Sequence, residues 1–228
     1  MKKIILILFL FLLCCSCYLI YNITKKKTIY IMSLGDELSL NNNLNNKKYT
    51  YNKYFVNKDN RTIDILNTIK YNKEITKEDK NISIHRLLKK TDILIISIGM
   101  NDIYYKLNNN TKEIYTYINN MLLNYEELLK EINRYDYKEV FILGYYNITN
   151  NYNDIFVYTN YKLEKLSNKY NYIFINLNNI INNNKKYLIK IDNYYLNDEG
   201  IKKINDFIVE KIKKYWYNIK CIYYYDLY

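Results

Sequence analysis

The stretch Tyr30-Ile31-Met32-Ser33-Leu34-Gly35-Asp36-Glu37-Leu38-Ser39-Leu40 is an apolar run that stops at a glycine and continues at once into two adjacent acids. A run with no alternation of apolar and polar residues fits a strand buried on both faces. Starting it at Thr28, the pattern predicts strands over 28–34, 92–98, 139–143 and 172–177; the first three end at Gly35, Gly99 and Gly144. Between them, residues 111–134 place Ile114, Ile118, Met121, Leu122, Tyr125 and Leu128 at the three- and four-residue spacing of a helix face. Residues 155–170 and 198–217 read the same way, and 82–88 reads as a short amphipathic helix leading into the second strand. Strand–helix alternation with short connections predicts an α/β fold, a three-layer αβα sandwich around a mostly parallel sheet. In such folds ligands bind beyond the carboxyl ends of the strands. Asp36-Glu37, Asn101-Asp102 and the Gly144 turn all fall there.

The composition is skewed. The 228 residues include 30 tyrosines, four glycines and no proline, and the sequence contains neither alanine nor glutamine. Ile, Asn, Lys and Tyr can all be encoded without G or C, so the bias reads as A+T pressure on the gene. Scarce glycine is therefore informative: the positions kept are expected to need a positive φ or a close backbone approach. The net charge of +11 overstates the basic character of the folded part. Five lysines and no acid lie in residues 1–27, which leaves 29 basic residues against 23 acidic ones, a net of +6. These lysines are scattered, so no nucleic-acid partner is expected.

Residues 1–27 read as a membrane anchor. Met1-Lys2-Lys3 precedes the nearly unbroken apolar segment Ile4–Ile23, which Lys25-Lys26-Lys27 follow. About 20 apolar residues at ~1.5 Å each match a ~30 Å hydrocarbon core, longer than the core of a cleaved signal peptide. Leu13-Cys14-Cys15-Ser16-Cys17 offers the alternative of lipoprotein processing at Cys17, although apolar residues continue past it. Three of the four cysteines lie in this segment, and Cys221 alone follows, so no disulfide is expected in the folded part. The expected organisation is an anchor over 1–27, one α/β domain over 28–217 and an aromatic tail over 218–228. The domain is placed outside the cytoplasm, in a bacterial envelope.

Three blocks carry a family resemblance. Ser33-Leu34-Gly35-Asp36-Glu37-Leu38-Ser39, Ser97-Ile98-Gly99-Met100-Asn101-Asp102-Ile103 and Asp192-Asn193-Tyr194-Tyr195-Leu196-Asn197-Asp198-Glu199-Gly200 occur in that order. They resemble the first, third and last blocks of the SGNH (GDSL) hydrolases, and the likeness covers nearly all of the chain after residue 27. Asn60-Arg61-Thr62-Ile63-Asp64 and Leu143-Gly144-Tyr145-Tyr146-Asn147 are weaker matches. The resemblance implies a flavodoxin-like sandwich and ester hydrolysis on lipids, glycans or small acyl compounds, with no cofactor and no metal. It also implies a serine nucleophile, a histidine base oriented by an aspartate, and an oxyanion hole of backbone amides and an asparagine side chain.

Carried over position by position, these roles fall unevenly. The nucleophile position holds Glu37 and the base position holds Tyr195. The oxyanion asparagine is present as Asn101 and the orienting acid as Asp192, while the second-block glycine falls at Asp59 or Asn60. Gly35, Asp36, Gly99 and Asp102 complete the expected binding positions, with Asp36 bracing its turn. The chain's single histidine, His85, is expected at the amino end of a strand, away from the cleft. Ser33 lies within its strand and Ser39 has no evident base. A phenol with a pKa near ~10 is a poor general base. Histidine becomes tyrosine by one base change toward A+T, whereas serine to glutamate needs at least two, so Glu37 is not simple decay.

Three readings of the cleft follow. A negative charge at Glu37 opposes an oxyanion, which favours a pseudoenzyme that binds a glycan or an acylated small molecule. The second reading keeps hydrolysis with Glu37 as base for a water; the third gathers Glu37, Asp192, Asn101 and Asp59 around a hard cation. A further alternative is an anchored scaffold that docks a partner through 216–228, which hold five tyrosines and the only tryptophan. Oligomeric state is not legible.

Overall fold

The computed structural model describes residues 11, 13–18, 30–35, 50–51, 61–77, 80–109, 112–137, 139–147, 152–181, 184–188 and 196–225. Five strands form the central sheet: β1 (Tyr30–Gly35), β2 (Thr50–Tyr51), β5 (Ile93–Ser97), β6 (Glu139–Leu143) and β7 (Ile173–Ile175). Their order is β2-β1-β5-β6-β7 and every pairing is parallel. That is the doubly wound order in which the chain reverses direction beside the first strand, between β1 and β5. Register runs Ile31 opposite Ile93 through Gly35 opposite Ser97, and Ile93 opposite Glu139 through Ile96 opposite Ile142.

Successive strand residues point to opposite faces, so burial along a strand reports on both sides of the sheet. All five residues of β5 are buried, as are the last five of β1 and the last four of β6. Both faces are therefore covered. The covering helices are α1 (Thr62–Lys70), α2 (Ile84–Lys90), α3 (Met100–Asn109), α4 (Ile114–Ile132), α5 (Asn153–Lys169), α6 (Leu177–Ile181) and α7 (Asp198–Tyr225). Helix α4 packs against α1, α3 and α5, while α6 packs against α7. The α4 stripe of Ile118, Met121, Leu122, Tyr125, Leu128 and Leu129 is buried, as the spacing predicts. From the other side Ile204, Ile208 and Ile212 of α7 enter the core.

Four features differ from expectation. Residues 82–88 divide between a strand end and a helix: β3 (Glu74–Lys77) and β4 (Lys80–Ser83) form an antiparallel pair before α2 begins at Ile84. Ile75 lies opposite Ile82 there, and both pack on the core, so two half-buried strands of period two hide inside a short stretch. The short parallel strand β2 has too few residues to show a pattern. The predicted strand over 172–177 keeps only Ile173–Ile175, because Leu177 already begins α6. Helix α7 continues through 218–225, where a separate tail is expected. Among the described residues no helix is long and apolar enough to cross a membrane. Of the apolar segment 4–23 only residues 11 and 13–18 are described, and they are helical.

Candidate functional site

The carboxyl ends of β1, β5 and β6 are drawn together by two glycines and one tyrosine. Gly35 has φ +122° and Gly99 φ +102°, values that favour glycine. A Cβ on Gly35 would collide with the Ser97 carbonyl, and one on Gly99 would meet the Tyr145 hydroxyl. That hydroxyl donates to Ile98 O at 2.9 Å, so the turn after β6 is bonded across to the turn after β5. The Tyr145 backbone is clamped in turn: its N–H donates to Asn160 Oδ1 (2.7 Å), and Asn160 Nδ2 donates back to Tyr145 O (2.8 Å). Asn160 and Tyr145 are both buried, so α5 replaces a missing strand neighbour with one amide side chain. Asn176 and Asn178 extend this amide network, with Asn178 Oδ1 accepting from Asn147 N at 3.1 Å.

Asn101 follows Gly99 by two residues and stands in the first turn of α3, partly exposed, at the carboxyl ends of the strands. Asp102 beside it turns inward. It is 5 % exposed, and its Oδ2 accepts from Thr62 N (2.8 Å) and Thr62 Oγ1 (2.9 Å). The carboxylate thus sits at the first residue of α1, where a helix end offers unpaired N–H groups and a positive dipole. Burial nevertheless pushes its pKa above the usual carboxylate value, with the Thr62 bonds and the Arg61 charge opposing. Asp102 therefore fixes α1 against α3. Arg61, just before α1, lays its guanidinium over the Tyr105 ring at 5.6 Å from the centroid. Tyr105 is four residues after Asn101, hence on the same face of α3.

In the last block, Asn197 caps α7: its Oδ1 accepts from Gly200 N at 3.0 Å. Its Nδ2 donates to Lys186 O (2.6 Å) and Leu188 O (3.0 Å), and Leu188 bridges Leu196 antiparallel. The chain on either side of 189–195 is thereby held at one place. Glu37, Asp36, Asp59, Asn60, Asp192 and Tyr195 lie outside the described residues, and with them three members of the four-ligand cation reading.

His85 is where the sequence puts it, in α2 near the amino end of β5. Its Nε2 lies 2.7 Å from Ile69 O; a carbonyl only accepts, so that nitrogen carries the proton. Its ring stands edge-on to Tyr135 at 5.9 Å. Thr62 and Ile69 are seven residues apart on α1, so roughly 10 Å of helix separates the Asp102 contact from the histidine. A cavity of about 440 Å³ follows β7 between α6 and α7, lined by Phe174, Phe207, Lys203 and Lys211 among others, but neither Asn101 nor Gly99 borders it.

The site residues that sequence reasoning missed are Asn160, Asn176 and Asn178. Their only signal is position, since asparagine is everywhere in this chain.

No family model and no curated protein matches the sequence. Solved structures do resemble the fold. A lipase from a goat rumen metagenome superposes with a TM-score of 0.60 at 17 % identity, covering 78 % of this chain and 94 % of its own. An acetylxylan esterase from Geobacillus stearothermophilus, solved as a catalytic mutant, gives 0.60 at 13 % identity over 82 % and 96 % of the two chains. The acetyl xylan esterase AlAXEase gives 0.58 at 14 %, over 82 % and 98 %. The chain has the SGNH/GDSL hydrolase fold.

Proposed function

We propose that this protein is a membrane-anchored SGNH-fold pseudoenzyme, which binds an acyl- or acetyl-ester-bearing glycan at the carboxyl edge of its sheet without cleaving it. The observation that carries the reading is His85. It is the only histidine in the chain, and it is spent on Ile69 O at the far end of α1 from Asn101. A serine–histidine relay needs both groups within hydrogen-bond reach of one reacting atom. The sequence offers Glu37 and Tyr195 at the two positions instead. A carboxylate there repels the negative charge that ester hydrolysis develops. What remains beside Asn101 suits binding: an amide that donates and accepts, and the Tyr105 ring backed by Arg61. The likeness to acetyl xylan esterases supports an acetylated sugar as ligand class. The apolar segment 4–23 supports the anchor.

The test is the purified full-length chain against a short-chain aryl acetate, beside the double variant Glu37→Ser with Tyr195→His. Turnover by the double variant alone is the expected result. Turnover by the unmodified chain sinks the pseudoenzyme reading; if Glu37→Gln then abolishes it, Glu37 is the base. Calorimetry with an acetylated xylo-oligosaccharide checks the ligand class: binding is expected, and Asn101→Ala should weaken it about tenfold.

A further inference from the structure

At the opposite end of the sheet, two loops bring four tyrosines into one pocket. The α4–β6 connection supplies Tyr135 and Tyr137, whose ring centroids lie 6.1 Å apart. The α5–β7 connection supplies Tyr170 and Tyr172, nearly parallel at 24° and 5.8 Å apart. Asn171 between them is left-handed, φ 57°, and Tyr172 Oη donates to Asn133 Oδ1 at 3.2 Å, tying one loop to the other. These residues, with Asp136 and Glu139, line a cavity of about 210 Å³. All four rings are half-buried.

Among the described residues the charges that line this pocket are both negative. Glu139 opens β6 half-buried, and no cationic side chain among the described residues pairs with it. Burial pushes its pKa up, opposed by the Val140 N–H. Among the described residues the nearby bases are Arg134, paired with Glu131, and Lys169, paired with Glu126 and with its Nζ 5.9 Å from the Tyr170 ring centroid. Tyr137 adds a buried hydroxyl that meets no hydrogen-bonding partner among the described residues. Burial holds that phenol neutral, so it can both donate and accept.

We infer that the pocket binds a small organic ammonium ion, held by the tyrosine rings and the Glu139 carboxylate. The negative face of an aromatic ring attracts a cation, and the attraction grows as water is excluded. An anion would face two carboxylates. A hard metal ion would find those two where Ca²⁺ takes six to eight oxygens, and neutral phenols are poor substitutes. This site stands apart from the cleft at Asn101 and does not rest on the function proposed there.

The test is calorimetric titration of the full-length chain, in a maltoside detergent, with choline and with its neutral isostere 3,3-dimethylbutan-1-ol. Saturable choline binding is expected, with the isostere roughly tenfold weaker or worse. Glu139→Gln and Tyr170→Leu should each lower the affinity by a similar factor while leaving the circular dichroism unchanged. Absence of saturable binding, equal binding of the isostere, or full affinity in both variants overturns the proposal. Competition by a short-chain phosphatidylcholine marks a lipid headgroup as the source of the ammonium. Failure to compete marks a free amine; either result upholds an ammonium site.

Discussion

Asp102 shows how one side chain can belong to a motif without serving the chemistry the motif suggests. Its Oδ2 takes both donors of Thr62, and its burial raises the pKa from 3.8. Because the folded chain holds this proton more tightly than the unfolded chain, folding binds protons in the window that opens near pH 3.8 and closes at the raised value. Through that window stability falls as pH rises, and above it the full cost of burying the charge remains. Asparagine keeps an oxygen for Thr62 and does not titrate. Asp102→Asn should therefore gain stability relative to the unmodified chain as pH rises through the window, with no further change beyond it. Urea unfolding of both forms from about pH 3 to pH 8 measures this; a difference that is flat or falls with pH sinks it. The same residue marks what was legible. Gly-x-Asn-Asp after a buried strand placed Asn101 and Asp102 at the strand ends, yet sequence could not say that one stays partly exposed and its neighbour faces Thr62. That depends on which way the first turn of α3 is rotated, which packing decides.

Among the elements, α5 does the least expected work. Its face reads as an ordinary amphipathic helix, but the residue that matters is polar: Asn160 supplies both hydrogen bonds that a strand neighbour would give Tyr145. Asn160→Leu fills the space and takes these two bonds from a buried N–H and a buried C=O. At about 1–3 kcal/mol for each orphaned group, a loss of about 2–5 kcal/mol in urea unfolding is expected. A loss under about 1 kcal/mol would mean that the turn after β6 does not depend on this clamp. The helix was readable because its apolar period is long, and the clamp was not, because A+T bias makes asparagine uninformative by abundance. Scarcity worked the other way. Gly35 and Gly99 were singled out for being rare, and both have the positive φ that their turns require. The β3–β4 pair escaped notice because four-residue strands with one inward isoleucine each carry almost no period.

For the whole molecule, the parallel sheet gives the domain two chemically distinct ends, and the chain enters the sheet at one of them. Tyr30 opens β1 three residues after Lys27, and its N–H donates to Asp92 Oδ2 at 2.9 Å. Asp92 O in turn accepts from Glu139 N at 3.4 Å, so the start of β1 and the tyrosine pocket share the amino edge of the sheet. Asn101 and the turns at Gly35, Gly99 and Gly144 lie at the carboxyl edge. The anchor proposed over 1–27 would therefore join the end that carries the tyrosine pocket, with Asn101 at the end remote from it. The anchor itself rests on hydropathy, with Lys2, Lys3 and Lys25–Lys27 flanking both ends of the apolar segment. The full chain should stay with membranes through an alkaline carbonate wash, and a chain beginning at Thr28 should be released. Cys17→Ser separates the two modes of attachment. In intact-mass spectrometry a spanning helix changes only by the substituted atom, whereas a lipid-modified chain loses the mass of its acyl groups and keeps its apolar leader. Retention of the shortened chain would shift the attachment to the folded domain, where α7 and its aromatic continuation become the surface to test. Release of the full chain by carbonate would remove the anchor, and with it the reason for the cleft to face away from a bilayer.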